Sequence, residues 1–266
     1  MTQVTNNIRW VGQDNLGRHY ADQVKFACDS LEIEYIAQQA IPFSSELPNV
    51  PNNKLTIFYG ATNWINNIVS SGKWTPGAFF NPDSTFSLWR DKYGQNALNQ
   101  LAEVTTLEKI LNQNSNADEL LFIRPDSDQK EFAGQVLRRS EINKWASTVM
   151  TNAPDILTLP VVVGEPYGIE KEWRLFIVDG RVSSGSQYRT RHGLDTSSYV
   201  PGGVIEFAEN MAKLYSPSPV FVIDIAKSSE LYVLEVGCFN SAGFYDSDVD
   251  KIILDVSRYV ENNYTL

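Results

Sequence analysis

The sequence predicts a mixed α+β and α/β fold built as two lobes sharing a cleft, and three observations carry that expectation. Its 266 residues exceed the size of one ordinary domain. The N-terminal stretch alternates helix-like spacing with a short apolar strand run, and the second half contains two hairpin signals.

In the N-terminal lobe, Asp22 to Ile33 has helical spacing, and Leu55 to Tyr59 reads as a buried strand ending in Gly60. A small sheet of parallel type follows from that alternation. Pro42, Pro48 and Pro51 mark a loop between these elements, and Gly72 to Pro82 marks another. Trp64, Trp74, Phe79, Phe80, Phe86 and Trp89 crowd this region; they are read as core and lobe-interface rings, with a ligand cage as the alternative. Leu98, Leu101, Val104, Leu107 and Leu111 recur at helical spacing and predict one helix over 96–111. The lobes divide near residue 95, giving an N-terminal α/β lobe over 1–95 and a second region over 96–266.

Beyond a polar break at Asn112 to Asp118, Leu120 to Ile123 reads as a strand, Glu141 to Val149 as a short helix and Leu157 to Val163 as another strand. Glu172 to Val178 and Arg181 to Tyr188 flank Asp179-Gly180, a dipeptide suited to a two-residue turn because both central positions need positive φ. Gly193 to Gly203 reads as a flexible loop, and Val204 to Lys213 and Lys251 to Val260 as helices. A second hairpin joins Phe221 to Ala226 with Leu231 to Val236 through Lys227-Ser-Ser-Glu230.

Composition narrows the chemistry. A formal net charge of -10 argues against a general nucleic-acid or anionic-membrane surface, since such partners need a basic face. The sequence shows neither an apolar run long enough to span a bilayer nor a secretory start, so a cytoplasmic location is expected. Cys28 and Cys238, with His19 and His192, form no zinc or disulfide pattern. Oxygen ligands and guanidinium groups are left to carry the chemistry.

The second hairpin is the first candidate. With an even turn, residue 224 pairs with 233 and 222 with 235, so Asp224 and Glu235 become diagonal neighbours roughly 7 Å apart on one face. Magnesium accepts a few carboxylates completed by phosphate oxygens and water, which this sparse pair suits. An odd-length loop would send the two to opposite faces. An ordinary hairpin with polar edge positions is the alternative, but both carboxylates sit inside apolar strands, where unpaired charge is costly.

Arg124 ends a strand, and the turn-rich Pro125 to Gly134 stretch with Lys130 at its centre could fold over phosphates. Arg124 beside Asp126, Asp128 and Glu131 reads equally well as a group in surface ion pairs. On the first hairpin, a regular ladder sets Arg174 opposite Gly185 and Glu172 opposite Gln187, with Arg189 continuing that face. Two arginines and a carboxylate then line one surface, as charge stabilisation in phosphoryl transfer requires, a solvated sheet face being the alternative.

Taken in order, these stretches resemble the ATP-grasp superfamily, and in particular its clade named for an arginine-lysine signature, often found in phage and bacterial genomes. They are Phe122 to Gly134, Glu172 to Val182 with Gly185 to Arg189, and Val222 to Ala226 through Glu235 to Ser241-Ala-Gly-Phe-Tyr245. The resemblance covers about 96–266. It implies an ATP-grasp fold with an N-terminal α/β pre-grasp lobe, binding ATP and magnesium between two α+β subdomains. It also implies a ligase that phosphorylates a carboxylate of an amino acid, peptide or other small molecule, which an amine or thiol then attacks. A phosphotransferase or a catalytically silent nucleotide-binding module is the alternative. Carried over residue by residue, Arg124 and Lys130 contact phosphates, and Val161 to Glu165 forms the adenine hinge, with Val163 and Glu165 as contacts. Glu172 joins the nucleotide contacts, Arg174 and Arg189 steady the transferring group, and Asp224 and Glu235 hold magnesium. The family's Glu-x-Asn pattern is broken here by Gly237, which passes the third ligand role to Asn240. Ser241 to Tyr245 falls on the acceptor side.

Overall fold

The protein is described by a computed structural model over residues 7–15, 20–41, 44–81, 84–113, 116–127, 131–151 and 154–266. Its first part contains β1 (Ile8–Gln13), α1 (Tyr20–Ser30), β2 (Glu34–Gln38), β3 (Leu55–Tyr59), α2 (Thr62–Ser71) and β4 (Pro76–Gly77). The strands form a parallel sheet in the order β2-β1-β3-β4, as the sequence led us to expect. β1 and β3 are buried throughout because helices and neighbouring elements cover both faces. Ala21, Val24 and Cys28 place the inner stripe of α1 on that sheet, and Gly72 at φ +59 ends α2 in the left-handed conformation.

α3 (Phe86–Tyr93) leads to a second sheet made from β5 (Glu103–Thr106), β6 (Leu120–Pro125), β7 (Gln135–Arg138) and β8 (Pro160–Gly164) in the order β5-β8-β6-β7. α4 (Leu107–Asn112) and α5 (Ile142–Met150) cover one face through Leu107, Ile110, Ile142 and Ala146, packed with Ile123 and Val161. The predicted single helix over 96–111 is corrected here. Glu103–Thr106 is extended and pairs with β8, and the helix begins only at Leu107, capped by Thr106. Leu101 is 91% exposed, so the apparent stripe of leucines never formed one buried face. The Val-Thr-Thr run instead carries the β-branched preference for a strand.

The third sheet contains β9 (Lys171–Val178), β10 (Arg181–Thr190), β11 (Gly193–Ser197), β12 (Val220–Lys227) and β13 (Leu231–Cys238), ordered β11-β10-β9-β12-β13. α6 (Gly202–Leu214) packs on one face of it, and α7 (Val249–Asn263), capped by Asp248, packs on the other. The stretch expected to be a loop from Gly193 onward begins as the edge strand β11. Its Leu194 is 77% exposed, so no apolar alternation announced it. No helix among the described residues is long and apolar enough to cross a membrane.

Alternation on β9 and β12 divides the interior in two. Trp173, Leu175, Ile177, Phe221, Ile223 and Ile225 point toward α3 and α6. Phe176, Val178, Val220 and Val222 point toward the N-terminal sheet and α7. Further along that second face stand Glu172, Arg174 and Asp224, at the end the N-terminal sheet does not cover. The aromatic crowd resolves into packing: Phe58 meets Trp64 and Trp74 in one cluster, and Phe86 meets Trp89 in another.

Candidate active site

A cleft of about 850 Å³ runs between the second and third sheets. Ile123 faces the helices behind the second sheet, so its neighbours Phe122 and Arg124 point into the cleft. Across from them the third sheet contributes Glu172, Arg174, Arg189, Asp224, Leu234 and Glu235.

The carboxylate pair reaches one face by an unforeseen route. Lys227 pairs with Leu231, so the turn Ser228-Ser229-Glu230 is odd, the case that should separate the two carboxylates. A bulge at Leu234 reverses the alternation once more, and Asp224 ends directly opposite Glu235 rather than diagonal to it. Two shifts on the first hairpin likewise correct its register. Arg174 lies opposite Ser186, and Glu172 lies opposite Arg189 instead of Gln187.

Each carboxylate of the pair meets a guanidinium. Arg174 donates to both oxygens of Asp224, Nε at 2.9 Å and Nη2 at 2.8 Å, with Asp224 only 2% exposed. Arg124 Nη2 donates to Glu235 at 3.0 Å, joining the two sheets across the cleft. The surface-pair alternative for Arg124 is set aside for Asp126, whose carboxylate accepts from the Ser87 amide and hydroxyl at the start of α3. Glu131 is engaged by the Ser127 hydroxyl.

Two tyrosines that the motif reading passed over hold Arg174 in place. The Tyr188 and Tyr245 rings stack 5.0 Å apart at 13°, and the Arg174 guanidinium lies 5.8 Å from one centroid and 5.4 Å from the other. Tyr245 adopts φ +50, a costly conformation for a bulky residue and one that the surrounding packing must enforce. Its place in the glycine-aromatic turn was the available signal. Burial pulls the Arg174 guanidinium toward losing its proton, but the Asp224 charge and hydrogen bonds outweigh this and hold it above its ordinary range. Burial, reinforced by the Asp224 charge, lifts the Tyr188 phenol well above its usual value. Glu172 is raised mainly by burial, against the Tyr188 hydrogen bond and the Arg189 charge. Arg189 is 3.8 Å from Glu172 and more than half exposed.

The structure thus gathers Arg124, Glu172, Arg174, Arg189, Asp224 and Glu235 and leaves out others. Val163 and exposed Glu165 line an adjoining cavity of about 410 Å³ rather than the main cleft. Lys130 lies outside the described residues. Asn240 is fully buried, with Oδ1 accepting from Phe79 N at 2.8 Å and Nδ2 donating to Phe58 O at 2.6 Å. That commitment corrects its expected role as a metal ligand. The remaining donor set, Asp224 and Glu235 at the cleft wall, fits a magnesium ion completed by phosphate and water oxygens. A smaller pocket of about 270 Å³ shares Arg174, Asp224, Glu235 and Tyr245 with the cleft and extends to Tyr20, Thr62 and Ser241.

Residues 62–256 match an ATP-grasp domain family, the third family of the clade named for its arginine-lysine signature. The chain belongs to this ATP-grasp family. No protein of curated function matches it in sequence. Among solved structures, the ATP-grasp ligase PsnB, complexed with a phosphomimetic variant of its minimal precursor, Mg and ADP, is similar at TM-score 0.58 and 12% identity over 97% of this chain and 99% of that one. D-cycloserine synthetase DcsG is similar at TM-score 0.62 and 13% identity over 95% and 99% of the two chains. D-alanine–D-alanine ligase from Bacillus anthracis is similar at TM-score 0.60 and 12% identity over 98% and 100%. At these identities the likeness establishes the ATP-grasp fold, which agrees with the sheets described above.

Proposed function

We propose that this protein is an ATP-dependent ligase that activates a carboxylate as its acyl phosphate and joins it to an amine or thiol, acting on an amino acid or peptide. The observation that carries the proposal is the convergence of Arg124, Glu172, Arg174, Arg189, Asp224 and Glu235 on one cleft. The PsnB and D-alanine–D-alanine ligase structures support the substrate class by likeness of fold. The division into a lobe over 1–95 and a nucleotide-binding region over 96–266 goes with this reading.

A carboxylate is a poor electrophile until one oxygen becomes a good leaving group. Its oxygen attacks the γ-phosphorus, the bond to ADP breaks, and an acyl phosphate forms. The amine or thiol then attacks the carbonyl carbon and gives up its proton, and phosphate departs with the electrons of the broken carbon–oxygen bond. Arg174, fixed by Asp224 and two rings, presents standing positive charge toward the transferring group, and exposed Arg189 can swing to meet it. Arg124 opposes phosphate charge from the other sheet, with Lys130 in the covering stretch. Asp224 and Glu235 would hold magnesium, which supplies positive charge to phosphate oxygens. Val163 and Glu165 keep a hinge role beside the nucleotide.

The commitment of Asn240 to backbone groups favours a second reading, a nucleotide-binding module without turnover. The test is a screen of amino acids and short peptides with ATP and magnesium, scored for ADP, phosphate and a new bond. Glu235→Gln is the control, because Asp224→Asn also strands the buried Arg174 charge at a cost of about 3–5 kcal/mol. Loss of turnover in folded Glu235→Gln is the expected result. Undiminished magnesium-dependent turnover would remove the metal assignment, a stable phosphorylated product would indicate phosphotransfer, and binding without ADP release would indicate the module.

A further inference from the structure

We propose that the side-chain amide of Asn99 reads the purine ring of the nucleotide and selects adenine over guanine. The inference rests on the nucleotide reading above and adds a residue to it.

The cleft has two chemically different ends. Arginines and carboxylates line one, while Leu98, Phe122, Ile169 and Leu234 line a region suited to a flat apolar ring. Asn99 stands where that region meets the cavity beside the hinge, and it lines both. It is only 8% exposed, and its buried Oδ1 has no hydrogen-bond partner. Burying a carboxamide oxygen without a partner is costly, so a ligand group that satisfies it gains affinity that bulk water does not offset.

The backbone around Asn99 is fixed. Leu98 N donates to Val233 O at 2.9 Å, and Ala102 N donates to Asn99 O at 2.9 Å. The first tie anchors the segment to the strand carrying Glu235, and the second closes the turn after it. The Asn99 oxygen lies 3.7 Å from where a Cβ on Gly164 would stand, at the end of β8 where the hinge begins. Glu165, one residue further, opens only onto the smaller cavity. The polar contact with the base therefore passes from Glu165 to Asn99.

A carboxamide offers one acceptor beside one donor. Adenine presents the complement along one edge, its exocyclic amine donating beside the N7 acceptor. Guanine presents two acceptors at the same edge and leaves the amide oxygen facing another oxygen. Selectivity follows from that mismatch, as an unpaired buried group is worth more in rejection than a formed bond is in affinity.

The experiment is calorimetric titration of wild type, Asn99→Ala and Asn99→Asp with ATP, GTP and 7-deaza-ATP in the presence of magnesium. Wild type is expected to prefer ATP over both analogues. In Asn99→Ala, ATP binding weakens by about fivefold, and the preferences over GTP and 7-deaza-ATP fall toward unity. Asn99→Asp keeps an acceptor for the amine but loses the donor to N7, so it too becomes indifferent to the 7-deaza change. Both variants should fold, because no hydrogen bond within the protein is lost. If wild type binds ATP and both variants keep its ratios, the Asn99 assignment is overturned and the nucleotide reading stands. If wild type binds none of the three, both are overturned.

Discussion

Asn240 joins three stretches of chain, with its side chain bonded to Phe58 and Phe79 and its own carbonyl accepting from Gly60 N at 2.9 Å. Asn240→Ala would strand a buried carbonyl and a buried amide, and we expect a loss of about 3 kcal/mol in urea unfolding. The magnesium dependence of nucleotide binding should be unchanged; a fall in apparent magnesium affinity would restore Asn240 as a ligand. Glu172 gives a pH-dependent outcome. Burial makes the folded state hold its proton more tightly than the unfolded chain does, so its favourable contribution is full below the unfolded value and is lost as pH rises through the folded one. Glu172→Gln should therefore raise the thermal midpoint more at pH 7 than at pH 4. Equal shifts at the two values would contradict the burial argument. The types of the site residues were legible because carboxylates and arginines within apolar strands demand partners. The fate of Asn240 was not, since the groups it bonds lie more than 150 positions away in sequence.

The hairpins show how far local signals reach. Asp179 and Gly180 take φ +49 and +75, as the two-residue turn required. A Cβ at Gly180 would meet nothing within 4 Å, so Gly180→Val tests backbone conformation alone. Its expected cost is about 1–2 kcal/mol, read as a lower urea midpoint, and an unchanged midpoint would refute the turn assignment. The registers beyond the turn were less legible. A regular ladder predicts diagonal carboxylates, whereas an odd turn and the bulge at Leu234 combine to set them face to face. The same shifts bring Glu172 opposite Arg189. Bulges answer to the twist and neighbours of the finished sheet, and few residues announce them. Similarly, helical spacing of leucines over 96–111 lost to the pairing of β5 with β8, a contact about 60 positions distant.

At the scale of the molecule, the cleft exists because two sheets turn charged faces toward each other, joined by the Arg124–Glu235 pair. A nucleotide bridging those sheets should stabilise the whole fold. At a hundred times its dissociation constant, ATP with magnesium is expected to add about 2.7 kcal/mol and raise the melting midpoint by roughly 5 °C. Chelating the metal should remove most of the gain, and no gain at all would tell against a nucleotide site. The sequence by itself determined the strands, the turns and the residue types of the charged face, because alternation and turn chemistry act over a few neighbouring residues. Only the tertiary structure decided which arginine meets which carboxylate, that Asn240 fastens backbone, and that Asn99 is left without a partner. Those outcomes depend on groups brought together by packing from distant parts of the chain, and local pattern carries no record of them.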